Sequence, residues 1–252
     1  MSLTQTPEPP PKDLFLELAQ GNVAGFTFVG LPFSATAIPT GSTWHTLWGL
    51  APGTAHAFPT SASTMTLSST SANDTASSGT GAQTVQIDGL DSSYNEISEF
   101  VSLNGQTGVT TVNSYLRVNK IQVIVGGTTG WNEGTIHMGT GTITAGVPAT
   151  TYQLINATEG RSESGFYTVP LGEQIFFKSA ILSTDQDIEI RVRIQIFTQA
   201  VQTVASFVVK EFVPVTFELG QLGLTQSDIW VEARALTSAA IVKGAASTIL
   251  IS

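Results

Sequence analysis

Between Asp187 and Phe197 apolar and polar residues alternate without a fault. Ile188, Ile190, Val192, Ile194 and Ile196 fall on one side, and Glu189, Arg191, Arg193 and Gln195 on the other. A strand gathers those apolar side chains on one face, whereas a helix would scatter them around its circumference. Shorter apolar runs follow at 204–209, 213–219, 229–233 and 249–251. Pro214 places its run at an edge or at a switch between sheets, because proline cannot donate to a ladder. Upstream, Val85 and Ile87 alternate before Asp88-Gly89. Ile97 to Leu103 leads to Asn104-Gly105, and the pattern resumes at Val109 to Val112. Both dipeptides read as turns, the second as a hairpin. Over 114–125 the set Leu116, Val118 gives way to Ile121, Val123, Val125, a slip at Asn119-Lys120. Strand side chains repeat every second residue, so a β-bulge or a change of sheet must absorb that slip. Many short strands with almost no helical period predict an all-β protein, an antiparallel β-sandwich of jelly-roll-like kind.

Residues 1–60 break the pattern. Pro9-Pro10-Pro11 forms a stiff, extended leader. Asp13 as N-cap, the apolar Leu14–Ala19 and Gly21 beyond predict a short helix near 14–20. Residues 25–50 are apolar and aromatic but punctuated by Pro32, Pro39 and Gly41. This predicts an irregular N-terminal arm lying over its own domain or over a neighbouring subunit, with Leu14, Phe15, Leu18, Phe26, Phe28 and Phe33 as candidate assembly contacts. Residues 61–81, rich in Ser, Thr, Ala and Gly, read as a long exposed loop after a short strand at 65–67. Residues 61–252 form the β-sandwich region, either one domain or two lobes dividing near 146–150, at Gly146-Val147-Pro148.

Composition narrows the function classes. Hydrophobic residues make up 41% of the chain, enough for a large core, and charged residues only 12%, against ~25% in ordinary soluble domains. Thr, Ser, Gly, Gln and Asn take the place of the missing charge, as on surfaces that meet other subunits without desolvating many ions. Net charge is −9 with 10 scattered basic residues, which argues against binding a phosphate backbone or an anionic membrane. The absence of cysteine excludes disulfides, thiolate metal sites and Cys nucleophiles. The N-terminus lacks a basic region followed by an apolar one, and no apolar run approaches the ~20 residues of a membrane helix. No signal peptide and no membrane insertion are expected.

Candidate chemistry is sparse. His45, His56 and His137 match no metal-binding spacing, and no Gly-x-Ser-x-Gly elbow, P-loop or dinucleotide fingerprint is present. Asp74, Asp88, Asp91, Asp185 and Asp187 lie in or beside turns, where a carboxylate bonds to its own backbone. A converging pair would suit glycoside hydrolysis, and Asp88 with Asp91 would suit Ca²⁺, but no EF-hand-like run supports the metal. The expectation is therefore no catalytic residue, no metal and no cofactor. Trp44, Trp48, Trp131 and Trp230 serve either as core and interface residues or as a sugar-stacking platform. Trp131, near the 126–134 turn and the 71–81 loop, is the candidate ligand-facing residue.

One block carries a resemblance. Ser-Ala-Asn-Asp-Thr-Ala-Ser-Ser-Gly-Thr-Gly-Ala-Gln-Thr-Val at 71–85 is followed by Asp88-Gly89-Leu90-Asp91 and by Tyr94-Asn95-Glu96-Ile97-Ser98-Glu99. Leu103-Asn104-Gly105, Ser114-Tyr115-Leu116-Arg117-Val118 and Gly134-Thr135-Ile136 come next. Over 69–144 this order and spacing resembles a family of virion structural proteins of tailed phages, especially phages of aquatic bacteria. Phe166-Tyr167-Thr168-Val169-Pro170-Leu171-Gly172 resembles a further element of that family. The resemblance implies a β-rich, non-enzymatic particle component, such as a capsid decoration or head-fibre protein or a tail protein, located in the virion. Its partners would be copies of itself in a ring or trimer and other capsid or tail subunits. A receptor- or glycan-binding tail module and a sandwich-fold glycan hydrolase are the alternatives.

Overall fold

In a computed structural model, residues 16–17, 20–49, 56–196, 199–216 and 222–252 are described. They hold β1 (Phe26–Ile38), β2 (His45–Thr46), β3 (Ser63–Ser69), β4 (Ala82–Leu90), β5 (Glu96–Ser102), β6 (Val109–Tyr115), β7 (Arg117–Gly126), β8 (Ile136–Thr144) and β9 (Val147–Ile155). These are followed by β10 (Phe166–Thr168), β11 (Gln174–Thr184), β12 (Ile188–Ile196), β13 (Gln202–Val209), β14 (Phe212–Thr216), β15 (Leu222–Gly223), β16 (Ser227–Ala235) and β17 (Ala240–Ile251). The protein is all-β, and every ladder between these strands is antiparallel. The helix expected near 14–20 falls mainly outside the described residues. Leu16 and Glu17 alone carry helical backbone there, and no helix stands among the named elements.

The strands form four sheets. Sheet I runs β1-β17-β11-β14, sheet II β10-β16-β12-β13, sheet III β6-β3-β8-β9 and sheet IV β5-β4-β7. Sheets I and II enclose one core. Ile188, Ile190, Val192 and Ile194 of β12 meet Ile175, Phe177 and Leu182 of β11 and Val242 and Leu250 of β17. Sheets III and IV enclose a second core around Met65, Leu67, Val85, Ile87, Ile121, Ile136 and Met138. Each core forms because one face of each strand is apolar, and stacking two such faces removes both from water.

The two lobes use the chain differently. The lobe of sheets III and IV is contiguous, from β3 to β9. The lobe of sheets I and II is split, and the other lobe is inserted into it. The insertion falls inside one strand position. β10 pairs with Asp228–Trp230 of β16, while β2 pairs with Glu232 and Ala233 of the same strand, on the same side. Leu47 N–H donates to Val231 O at 3.0 Å, and Gly165 N–H donates to Leu47 O at 2.6 Å. Thus β2 and β10 are two halves of a single strand position, and residues 48–164 leave it and return to it.

Several local expectations meet their structural answer. The strand at 187–197 is β12, with its isoleucines inward. The slip at Asn119-Lys120 is a bulge, where the ladder jumps from Asp88↔Lys120 to Gly89↔Val118. Pro214 lies on β14, an edge strand.

Other expectations are corrected. Asp88-Gly89 is not a turn but the interior of β4, and a Cβ on Gly89 would collide with the Arg117 carbonyl oxygen. Asn104-Gly105 is not a hairpin, because β5 and β6 belong to different sheets and the chain crosses between them there. Gly146 marks no lobe boundary. Ala145 (φ 48°) and Gly146 (φ 82°) form the two-residue turn between β8 and β9, closed by the pair Thr144↔Val147.

The residues read as an irregular arm include β1, thirteen residues long and paired with β17 along most of its length. Its partner is the last strand of the chain, so no local signal reveals the pairing. The 71–81 loop is not simply exposed, because Asp74 is fully buried within it.

Candidate functional site

The lobes meet at a buried ion pair. Arg117 opens β7 in the inserted lobe, and Asp228 lies on β16 in the split lobe. The Arg117 Nε and Nη2 groups donate to the two Asp228 carboxylate oxygens, each at 2.8 Å. Arg117 Nη1 donates to Pro59 O at 2.7 Å and Leu116 O at 2.9 Å, and Thr168 Oγ1 donates to Asp228 at 2.6 Å. Asn119 exchanges two hydrogen bonds with the Thr168 backbone, each at 2.9 Å. Such fully partnered bidentate geometry is what holds a buried guanidinium and carboxylate together. Beside it His56 stacks on Phe166 at 3.8 Å and meets Trp48 and Phe58 edge-on at 4.8 Å and 4.6 Å. Burial pushes its imidazole from the ordinary 6.5 down to about 4, although the Tyr152 carbonyl and Asp228 favour the cation.

A groove of about 490 Å³ opens beside this junction. Phe28 to Pro32 of β1 form one wall, and Asp88, Glu96, Ile97, Ser98, Asn119, Lys120 and Arg161 line the other. Asp88 accepts from Gln86 on its own strand and from Ser98 across the β4–β5 ladder, both at 2.8 Å. The remaining turn aspartates have structural bonds. Asp91 accepts the Ser93 and Asn95 N–H groups at 2.7 and 3.0 Å. Asp185 accepts the Ile241 N–H at 2.7 Å, and Asp187 pairs with Lys210 at 2.8 Å. Among the described residues, no group of three or more His, Asp or Glu side chains is placed to hold a metal.

The outer faces of sheets I and II differ in kind. Inward positions on β1, β11 and β17 are fixed by the core, so the alternate positions point outward. Register then sets these in rows across sheet I: Phe28, Ile249 and Phe176; Pro32, Ala245, Ile181 and Pro214; Ser34, Lys243, Ser183 and Phe212. Phe212 is 62% exposed, Ile181 55% and Phe28 46%. Strands β1, β11, β14 and β17 carry no acidic residue and only Lys178 and Lys243 as charges. The outer face of sheet II is instead a paired charge ladder. Arg191 meets Glu232 at 2.5 Å, Arg234 meets Glu189 at 2.6 Å, and both guanidiniums lie over Trp44 at 4.0 and 4.9 Å.

In the inserted lobe, Asp74 fastens two loops together. Its carboxylate accepts from Ser69 Oγ at 2.5 Å and from the Ala82, Glu133 and Gly134 N–H groups at 2.8, 2.8 and 2.9 Å. Glu133 accepts from Asn73 Nδ2 at 2.7 Å and from the Thr80 hydroxyl. Trp131 lies in the second of these loops, two residues before Glu133, and is 50% exposed. The structure therefore joins the two loops that the sequence suggested for ligand contact.

The candidate assembly residues disperse. Leu14, Phe15 and Leu18 lie outside the described residues. Phe26 and Phe28 are on the outer face of sheet I. Phe33 is corrected from contact to core: it is 3% exposed and belongs to the cluster between sheets I and II. Sequence reasoning missed Ile181, Phe212 and Ala245. The period-two pattern gives their alternation, but only register shows that they share a face.

No protein-family model matches the chain, and no curated protein matches it. Among solved structures, a structure of infectious bursal disease virus strain Gt is matched at 10% identity over 98% of this chain and 75% of that one, with a TM-score of 0.18. The crystal structure of the VP2 subviral particle of infectious bursal disease virus is matched at 9% identity over 90% and 72%, with a TM-score of 0.19. Scores of this size do not establish a shared fold.

Proposed function

We propose that this chain is a non-enzymatic structural subunit of a tailed-phage particle. It acts at the capsid surface or in the tail through contacts with copies of itself, in a ring or trimer, and with other particle proteins. The observation that carries the reading is the strand order of the split lobe. Its long strands, counted in chain order with β2 and β10 as one, run 1-8-3-6 in sheet I and 2-7-4-5 in sheet II. We read this order as a jelly roll, an architecture of viral capsid domains, lectins and cupins. The stretch resembling tailed-phage structural proteins, 69–144, lies almost wholly in the inserted lobe, and that directs the reading to the particle rather than to a cupin-like enzyme.

The test is direct. Antibody raised against the purified chain is applied to density-purified particles and viewed by electron microscopy, with peptide mass spectrometry of the same particles. Regular labelling of heads or tails is expected. Particles without label and without peptides of this chain would overturn the reading.

Half-exposed Trp131, on one of the two pinned loops, supports a second reading as a glycan-binding tail module. Aromatic faces stack on sugar rings. That reading expects hits on a glycan array and lost host adsorption in Trp131→Ala. A blank array with unchanged adsorption removes it.

A further inference from the structure

We infer that the outer face of sheet I is the surface on which a second copy of this chain docks, face to face. The inference rests on the structural-subunit reading and adds to its ring or trimer a separate two-fold contact, naming the surface and its occupant. Exposed Phe28, Ala245, Ile181 and Phe212 run across four strands around the buried Ile249, in a chain that places its charge ladder on the opposite sheet. A contiguous exposed apolar face of this kind marks an interaction surface.

Area and charge point to a second copy as the occupant. Four strands at ~4.8 Å spacing and rows spanning roughly 27 Å give a footprint of about 500 Å² before side-chain relief is counted. Two such faces bury on the order of 1,200 Å² of accessible surface, at the threshold of a stable, specific interface. The chain carries a net charge of −9, so copies repel one another over most of their surface. This face has no acidic residue on its four strands, and the carboxylate that reaches it, Glu159, is paired with Lys243 at 3.8 Å, so two copies meeting here bring little negative charge together. Its edges are blunted in the same row, by Pro32 on β1 and Pro214 on β14. Proline at both edges disfavours edge-to-edge strand addition and leaves the flat face as the route of association. A face that meets its own copy gives a two-fold, isologous contact.

The experiment is sedimentation equilibrium of the full chain from about 1 to about 100 μM. A reversible dimer is expected for the unaltered chain. Ile181→Asp should weaken association at least tenfold while leaving circular dichroism and the thermal transition unchanged. Ala245→Lys is the second variant should the first fail to fold. Gln195→Glu, on the sheet II side, should associate as the unaltered chain does. A monomer at the highest concentration, or undiminished association in both sheet I variants, overturns the inference. A monomer whose incorporation into particles still depends on Ile181 also overturns it, assigning the face to a different protein. Labelled particles with a monomeric chain sink this inference and leave the structural reading standing. A dimer broken by Ile181→Asp with no label on any particle does the reverse.

Discussion

The two lobes are built from the same strand chemistry but hold themselves together differently. The split lobe takes strands from both ends of the chain and closes by pairing its first strand, β1, with its last, β17. Its interior is chiefly aliphatic, and the ion pairs Arg191–Glu232 and Arg234–Glu189 lie on one outer face. The inserted lobe is contiguous, and its loops are fixed by buried polar groups, above all Asp74 with its Ser69, Ala82, Glu133 and Gly134 donors. A lobe closed by a long ladder is fixed by backbone pairing, whereas long loops of a contiguous lobe need a polar pin. The comparison predicts that damage to the pin stays in its own lobe. Asp74→Ala strands three backbone N–H groups and a hydroxyl in a buried place, at ~1–3 kcal/mol each. A loss on the order of 5 kcal/mol is expected in urea denaturation. By hydrogen exchange, protection should fall in β3, β4 and β8 and persist in β12 and β17. Equal loss in both lobes would mean a single cooperative unit and would break the comparison.

The junction is the next largest effect. Removing Arg117 leaves the Asp228 carboxylate buried without its partner, which costs ~3–5 kcal/mol in comparable buried pairs. Arg117→Leu should therefore destabilise by about that much and separate one thermal transition into two, as the lobes lose their shared pin. The double variant with Asp228→Leu removes both charges and should recover a good part of the loss. A single unsplit transition in Arg117→Leu would show that the continuous strand formed by β2 and β10 couples the lobes without the ion pair.

What the sequence made legible was local. Ile188–Ile196 declared a strand and its buried face, Asn119-Lys120 a bulge or a change of sheet, and Pro214 an edge or a switch, because each follows from the geometry of a single strand. What was illegible depended on partners far along the chain. β1 looked irregular because its one glycine and one proline, Gly30 and Pro32, are tolerated at an edge beside β17, more than two hundred residues later. Asp88-Gly89 has the composition of a turn, but its glycine serves the close passage of β4 against Arg117. Of the candidate contacts, Phe28 and Phe33 have the same side chain on the same strand. The odd or even position of each, read against the core, sends one outward and the other inward. The pairing of lobes through Arg117 and Asp228 left no sequence signal, since an isolated Arg and Asp are ordinary surface residues until the fold buries them.

Acid should test the junction and the inserted lobe together. Burial lowers His56 and His137 from the ordinary 6.5 to about 4. The neutral imidazole is therefore the folded form, and its contribution is complete above about pH 6.5. As pH falls below that value the unfolded chain takes up protons that the folded chain refuses. Stability declines until about pH 4, below which both states are protonated. Between about pH 7.5 and pH 5 each histidine accounts for a loss of about 2 kcal/mol. His56→Phe keeps the aromatic stack on Phe166 and should remove roughly half of the histidine-linked decline in urea midpoints. An unchanged acid slope in that variant would shift the pH dependence to other groups.

The smallest effect separates the outer charge ladder from the buried pin. Glu189 meets Arg234 on the outer face of sheet II with both side chains partly exposed, 24% and 30%. Water already solvates such a pair, so its net worth is ~0.2–1 kcal/mol. Glu189→Gln should cost no more than that at low salt, and the cost should shrink in about 1 M salt as the unaltered pair is screened. The Arg117–Asp228 pair, shielded from solvent, should keep its effect at the same salt concentration. A Glu189→Gln penalty of several kcal/mol that persists in high salt would mean that this outer face is as dependent on its ions as the junction. Charge position would then no longer distinguish a ladder that keeps a sheet soluble from a pin that holds two lobes together.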